Sequence, residues 1–63
     1  MRINGEHRKI GASTLADLLR SNGYDEKRVA VELNGKIVPR KDYSGVMLRD
    51  NDVLEIVSFV GGG

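Results

Sequence analysis

The sequence predicts an α+β protein in which one helix covers one face of one sheet. Three observations carry that expectation. The dipeptides Asn4-Gly5 and Asn34-Gly35 each separate short segments with apolar residues, and Asn-Gly marks a tight hairpin because both residues tolerate positive φ. Leu15, Leu18 and Leu19 stand at i, i+3 and i+4, which makes one apolar stripe on a helix. Residues 53–60 form a long, largely apolar run, read as the last and longest strand.

The elements follow in chain order. Residues 1–4 alternate apolar and polar, the period of a half-buried strand, and after Asn4-Gly5 the chain is expected to return along Arg8-Lys9-Ile10. Ser13 and Thr14 are candidate N-caps, and Asp17 three residues after Thr14 is a weak form of the capping box. A helix is expected over residues 14–22, closed by Gly23, where a missing Cβ permits the left-handed conformation. Residues 29–33 read as a strand with Val29, Val31 and Leu33 on one face and Glu32 on the other. Residues 36–38 follow the second hairpin signal, and Pro39 ends them because it cannot donate to a ladder. Residues 41–45 read as a turn around Tyr43, residues 46–48 as a short apolar run, and residues 49–52 as a polar turn.

Composition excludes several function classes. A chain of 63 residues is one domain, with little room for a deep cleft, so the protein is expected not to be an enzyme in its own right. It contains no cysteine, which removes disulfides, thiolate metal sites and cysteine nucleophiles. Ten basic and nine acidic residues give a net charge of +1 and are interspersed, so no basic stripe for nucleic acid is expected. No apolar stretch approaches a membrane span, and residues 1–4 open no signal peptide. The expectation is a cytoplasmic protein, complete as written, bound to neither nucleic acid nor membrane.

Other residues have structural readings. His7, the single histidine, lacks the companion ligands of a metal site and reads as a solvated hairpin residue. Ser13 and Thr14 read as caps rather than nucleophiles. Asp50 and Asp52 lack the ligand spacing of an EF-hand and read as a turn. Phosphate loops place glycine before a helix, whereas Gly61, Gly62 and Gly63 follow a strand.

This element order, with Val38-Pro39-Arg40 after an Asn-Gly hairpin, Asp50-Asn51-Asp52 before the last strand, and the ending Val57-Ser58-Phe59-Val60-Gly61-Gly62-Gly63, resembles the ubiquitin-like β-grasp fold. More narrowly it resembles the ThiS-type sulfur carriers of thiamine biosynthesis. The resemblance covers the whole chain, and the tail is its specific part. A third glycine precedes the family's minimal Gly-Gly, and Asn51 stands where relatives often have Gly. The resemblance implies one mixed sheet of four to five strands packed on one helix, a β-grasp domain over residues 1–60 and a flexible glycine tail over residues 61–63.

It also implies a chemistry. A partner E1-like adenylating enzyme of the ThiF type, using ATP and Mg²⁺, would adenylate the carboxylate of Gly63. A sulfur donor such as a cysteine desulfurase would then lead to a thiocarboxylate, and thiazole synthase of the ThiG type would take the sulfur. No cofactor is expected on this chain. A glycine tail suits that chemistry, because glycine lets backbone approach a catalytic surface closely, and three residues at about 3.3–3.6 Å each reach roughly 10 Å.

On the last strand the pleat places Glu55, Val57 and Phe59 on one face and Leu54 and Ile56 on the other. Val57 and Phe59, joined by Ala30, are therefore expected as an exposed apolar patch and partner interface beside the tail. The alternatives are a molybdopterin-synthase-type carrier or ubiquitin-like modifier, and, in another class, a β-grasp RNA-binding or interaction module.

Overall fold

In the computed structural model the described residues are 1–9 and 13–59. Five strands form one mixed sheet in the order β2-β1-β5-β3-β4: β1 Arg2–Ile3, β2 Glu6–His7, β3 Val29–Leu33, β4 Lys36–Val38 and β5 Val53–Ser58. Helix α1, Leu15–Ser21, is joined by 3₁₀ turns at Glu26–Arg28 and Arg40–Gly45. The central β5 runs parallel to β1 and antiparallel to β3. This is the α+β arrangement expected, with five strands.

The two Asn-Gly turns set the register at both ends of the sheet. Asn4 and Asn34 each have φ of 52°, followed by Gly5 and Gly35 at 84°, the double positive φ of a type I′ hairpin. A two-residue turn forces the return strand to begin immediately, so Ile3 faces Glu6 and Arg2 faces His7. The return strand is therefore β2 at Glu6–His7, not the Arg8-Lys9-Ile10 segment expected. Arg8 still donates its amide to the Met1 carbonyl at 2.9 Å, whereas Ile10 lies outside the described residues.

A helix of seven residues is too short to stand alone in water, so capping and packing hold α1. Thr14 is the N-cap, its hydroxyl accepting from the Asp17 amide at 3.1 Å. At the other end Gly23 has φ of 78°, as its place after the C-cap Asn22 requires. Leu15, Leu18 and Leu19 are buried with Ile3, Val29, Val31, Leu54 and Ile56 in one core. Each such side chain contributes about 1.5–3 kcal/mol.

Residues 46–48 do not join the sheet. They run beside the helix entry instead: Leu15 donates to the Val46 carbonyl at 2.9 Å and Leu48 to the Ser13 carbonyl at 3.0 Å. Tyr43 completes the core, 2% exposed, its hydroxyl donating to the Val29 carbonyl at 3.4 Å. Burial pushes its phenol above the ordinary 10.0, with the nearby Arg40 guanidinium opposing and Glu26 reinforcing that shift.

Candidate functional site

The candidate site starts from the pleat of β5. Alternate residues face opposite sides of a sheet, so Leu54 and Ile56 enter the core while Val53, Glu55 and Val57 face outward; Ser58, in phase with Ile56, is exposed at the strand end. Beyond the last ladder pair, the Phe59 amide donates to the Arg28 carbonyl at 2.7 Å. That bond holds the strand path one residue further and keeps Phe59 in phase with Val57. The two side chains are 57% (Val57) and 54% (Phe59) exposed, too open to be core and adjacent on one face. Ala30 lies directly opposite Val57 and is half-buried. The three patch residues expected from sequence thus lie together on the sheet face away from α1.

The face extends further than the sequence pattern alone placed it. Ile37 is opposite Glu32 across β3 and β4 and is 76% exposed. The signal was available: a two-residue Asn34-Gly35 turn fixes the β3–β4 register, so whatever sends Glu32 outward sends Ile37 with it. Outward from Phe59, the rows read Ala30–Val57 and then Glu32–Glu55, with Ile37 beyond Glu32.

An asparagine fixes this strand from the opposite side. The Asn4 amide nitrogen donates to the Ile56 carbonyl at 3.2 Å, and the Ile56 amide donates to Asn4 Oδ1 at 2.7 Å. One side chain thereby replaces a peptide group and extends the β1–β5 ladder past Leu54, next to Val57. The sequence marks Asn4 only as a turn former, through the Asn4-Gly5 dipeptide.

The remaining expected site residues, Gly61, Gly62 and Gly63, lie outside the described residues. His7 is exposed on β2, its Nε2 accepting from Arg2 Nε at 3.4 Å. Asp52 is occupied by the turn, accepting from the Arg49 amide at 2.8 Å and from Asn34 Nδ2 at 3.0 Å. Among the described residues no three acidic or histidine side chains gather as metal ligands, and no helix is long and apolar enough to cross a membrane. What this face offers chemically is an apolar contact at the C-terminal end of β5.

Known proteins of similar shape and sequence give that surface a context. A thiazole synthase from Paramagnetospirillum magneticum is 52% identical over 62 residues, covering 97% of this chain and 19% of the relative. The chain thus spans about a fifth of that relative's length. The sulfur carrier protein ThiS of Bacillus subtilis is 43% identical over 65 residues, covering 100% of this chain and 98% of that protein. The crystal structure of the thiamine biosynthesis protein ThiS from Geobacter metallireducens superposes with a TM-score of 0.81 at 27% identity, covering 98% of this chain and 96% of that one. The shared fold is the ubiquitin-like β-grasp. The ThiS family model matches residues 1–63, and the chain belongs to the ThiS family.

Proposed function

We infer that the protein is a sulfur carrier of thiamine biosynthesis whose reacting group is the carboxylate of Gly63. The observation that carries this reading is the outward apolar pair Val57 and Phe59 at the C-terminal end of β5, which the sequence follows with Gly61-Gly62-Gly63. Near-complete mutual coverage with a relative named as a sulfur carrier supports it.

A carboxylate is a poor electrophile. An adenylating partner supplies ATP, AMP is transferred to the Gly63 carboxylate, and pyrophosphate leaves. A sulfur nucleophile then displaces AMP from the acyl-adenylate on the way to the thiocarboxylate. Thiazole synthase is the acceptor in this reading, which the sequence shared with a protein of that name supports. The carrier supplies the electrophile and later the sulfur; the catalytic groups belong to the partners.

Tail entry needs help from the sheet face. Fixing a backbone residue costs about 1–2 kcal/mol, so ordering three glycines opposes docking by roughly 3–6 kcal/mol. Burial of Phe59 offsets about 1.5–3 kcal/mol of this, with Val57 and Ala30 adding to it.

The test alters the terminus alone. Deleting Gly63, or adding one residue after it, is expected to abolish AMP transfer by the cognate adenylating enzyme in an ATP–pyrophosphate exchange assay. Thermal melts are expected to match wild type, since the last core residue among those described is Ile56. Exchange near wild type in both variants would remove the basis of this reading. Mass spectrometry of the carrier purified with its partners is expected to show one oxygen-to-sulfur exchange at the C-terminus.

A further inference from the structure

The outward face holds a feature that terminal chemistry does not use. β3 and β5 bring Glu32 and Glu55 into direct register, and both are exposed. Residues so opposed have Cβ atoms about 4.5–5.5 Å apart, and like charges placed there repel. The ion pairs among the described residues join Arg8 to Glu6, Arg20 to Asp17 and Glu26, and Arg28 to Asp25. Neither Glu32 nor Glu55 is among them.

Position makes the pair informative. A solvated sheet face gains by setting opposite signs across neighbouring strands. Here two carboxylates are set side by side instead. On the same face Ile37 adjoins Glu32 on one side, and the Ala30–Val57 row stands next along the strands toward Phe59. The face thus combines an apolar contact with two opposed carboxylates that lie outside the ion pairs of the described residues, its nearest cation in register being Arg2, opposite Val53 at the far end of β5, and its complement is an apolar surface carrying a cation.

We propose that Glu32 and Glu55 together form a socket for one arginine side chain of thiazole synthase, docked while Val57 and Phe59 make the apolar contact beside it. The proposal rests on the carrier reading above. Arginine fits better than lysine because its planar fork offers five donors and can engage two carboxylates at once. Thiazole synthase is the committed occupant because the Paramagnetospirillum magneticum relative of that name contains the matched stretch within one polypeptide, which places such a domain and that enzyme at close range.

The proposal requires stability and binding to move in opposite directions. Glu32→Gln with Glu55→Gln removes the repulsion while keeping shape, so the double variant is expected to melt at or above the wild-type temperature. Its affinity for the thiazole synthase of the same organism is expected to fall about tenfold, equivalent to about 1.4 kcal/mol. Wild-type binding should weaken with added salt, because exposed charges are screened over about 8 Å at physiological ionic strength; the double variant should lose that dependence. The experiment is a binding titration of both proteins at two salt concentrations, with thermal melts and the adenylation assay alongside. Unchanged affinity and salt dependence in the double variant would overturn the proposal, as would a lowered melting temperature, which would make the pair part of the fold. Wild-type carrier that is adenylated but does not bind the synthase overturns the proposal and leaves the carrier reading standing. Wild-type carrier that is neither adenylated nor bound removes both.

Discussion

Leu54 and Ile56 on one side of β5, and Val57 and Phe59 on the other, are chemically alike and are treated oppositely by the molecule. Leu54 is fully buried and Ile56 is 7% exposed, locked under α1 with three leucines. Val57 and Phe59 stand half open on the far face. Burial per unit of apolar area has the same value wherever it occurs, so the inner residues realise in folding what the outer ones still have available. An isolated exposed apolar residue means little. Here several share one face side by side, and contiguity is what marks an interaction surface.

The sharpest way to break this comparison is to remove an inner side chain. Leu18→Ala leaves a cavity between α1 and the sheet, and such changes cost about 2–5 kcal/mol. A domain this small sits near the low end of about 5–15 kcal/mol total stability. Leu18→Ala is therefore expected to be largely unfolded at physiological temperature, read by thermal or urea denaturation. A melt close to wild type would show that the helix stripe does not carry the core.

A smaller effect is expected at Asn4, which belongs to neither face but pins the strand between them. Asn4→Gly keeps the positive φ and deletes both bonds to the Ile56 peptide group. With each hydrogen bond worth about 0.5–1.5 kcal/mol net, a loss of about 1–3 kcal/mol is expected. Asn34→Gly is the comparison, since its φ is identical and its bonds, to the Val53 amide and the Asp52 carboxylate, are exposed. It should cost less. Equal losses in urea denaturation would mean that both asparagines act through the turn alone, not through a clamp on β5.

These two asparagines also show how far the sequence could be read. Their turns were legible because Asn-Gly has few other uses, and a two-residue turn dictates the pairing beside it. The helix was legible because Thr14, Gly23 and the leucine spacing agree. The start of β2 is the exception: the sequence suggests a return along Arg8-Lys9-Ile10, while the two-residue turn starts the strand at Glu6. The Asn4 clamp was hidden because its partner, Ile56, lies 52 positions away, and no local pattern records a parallel pairing of that separation. The outward patch of Val57, Phe59 and Ala30 was readable from alternation. The opposed Glu32–Glu55 pair was not, because cross-strand partners emerge only once the register of two distant strands is known.

The least effect on stability, with a marked one on recognition, is expected on the outer face. Phe59 lies outside the core, and the Phe59–Arg28 contact that keeps it in place is made by backbone atoms, which an aspartate also possesses. Phe59→Asp is therefore expected to fold, with a shift in stability within about 0.5 kcal/mol, the range usual for surface changes. Binding to the adenylating enzyme should weaken at least tenfold, about 1.4 kcal/mol, because the variant forgoes the burial of a phenyl ring and sets a charge in an apolar contact. Glu55→Gln, farther from the tail on the same strand, should disturb this enzyme less. A thermal melt and a binding titration separate the outcomes. An unfolded Phe59→Asp would make the ring part of the core and erase the distinction between the two faces. A folded variant that binds as wild type would keep the distinction and move recognition away from this end of β5.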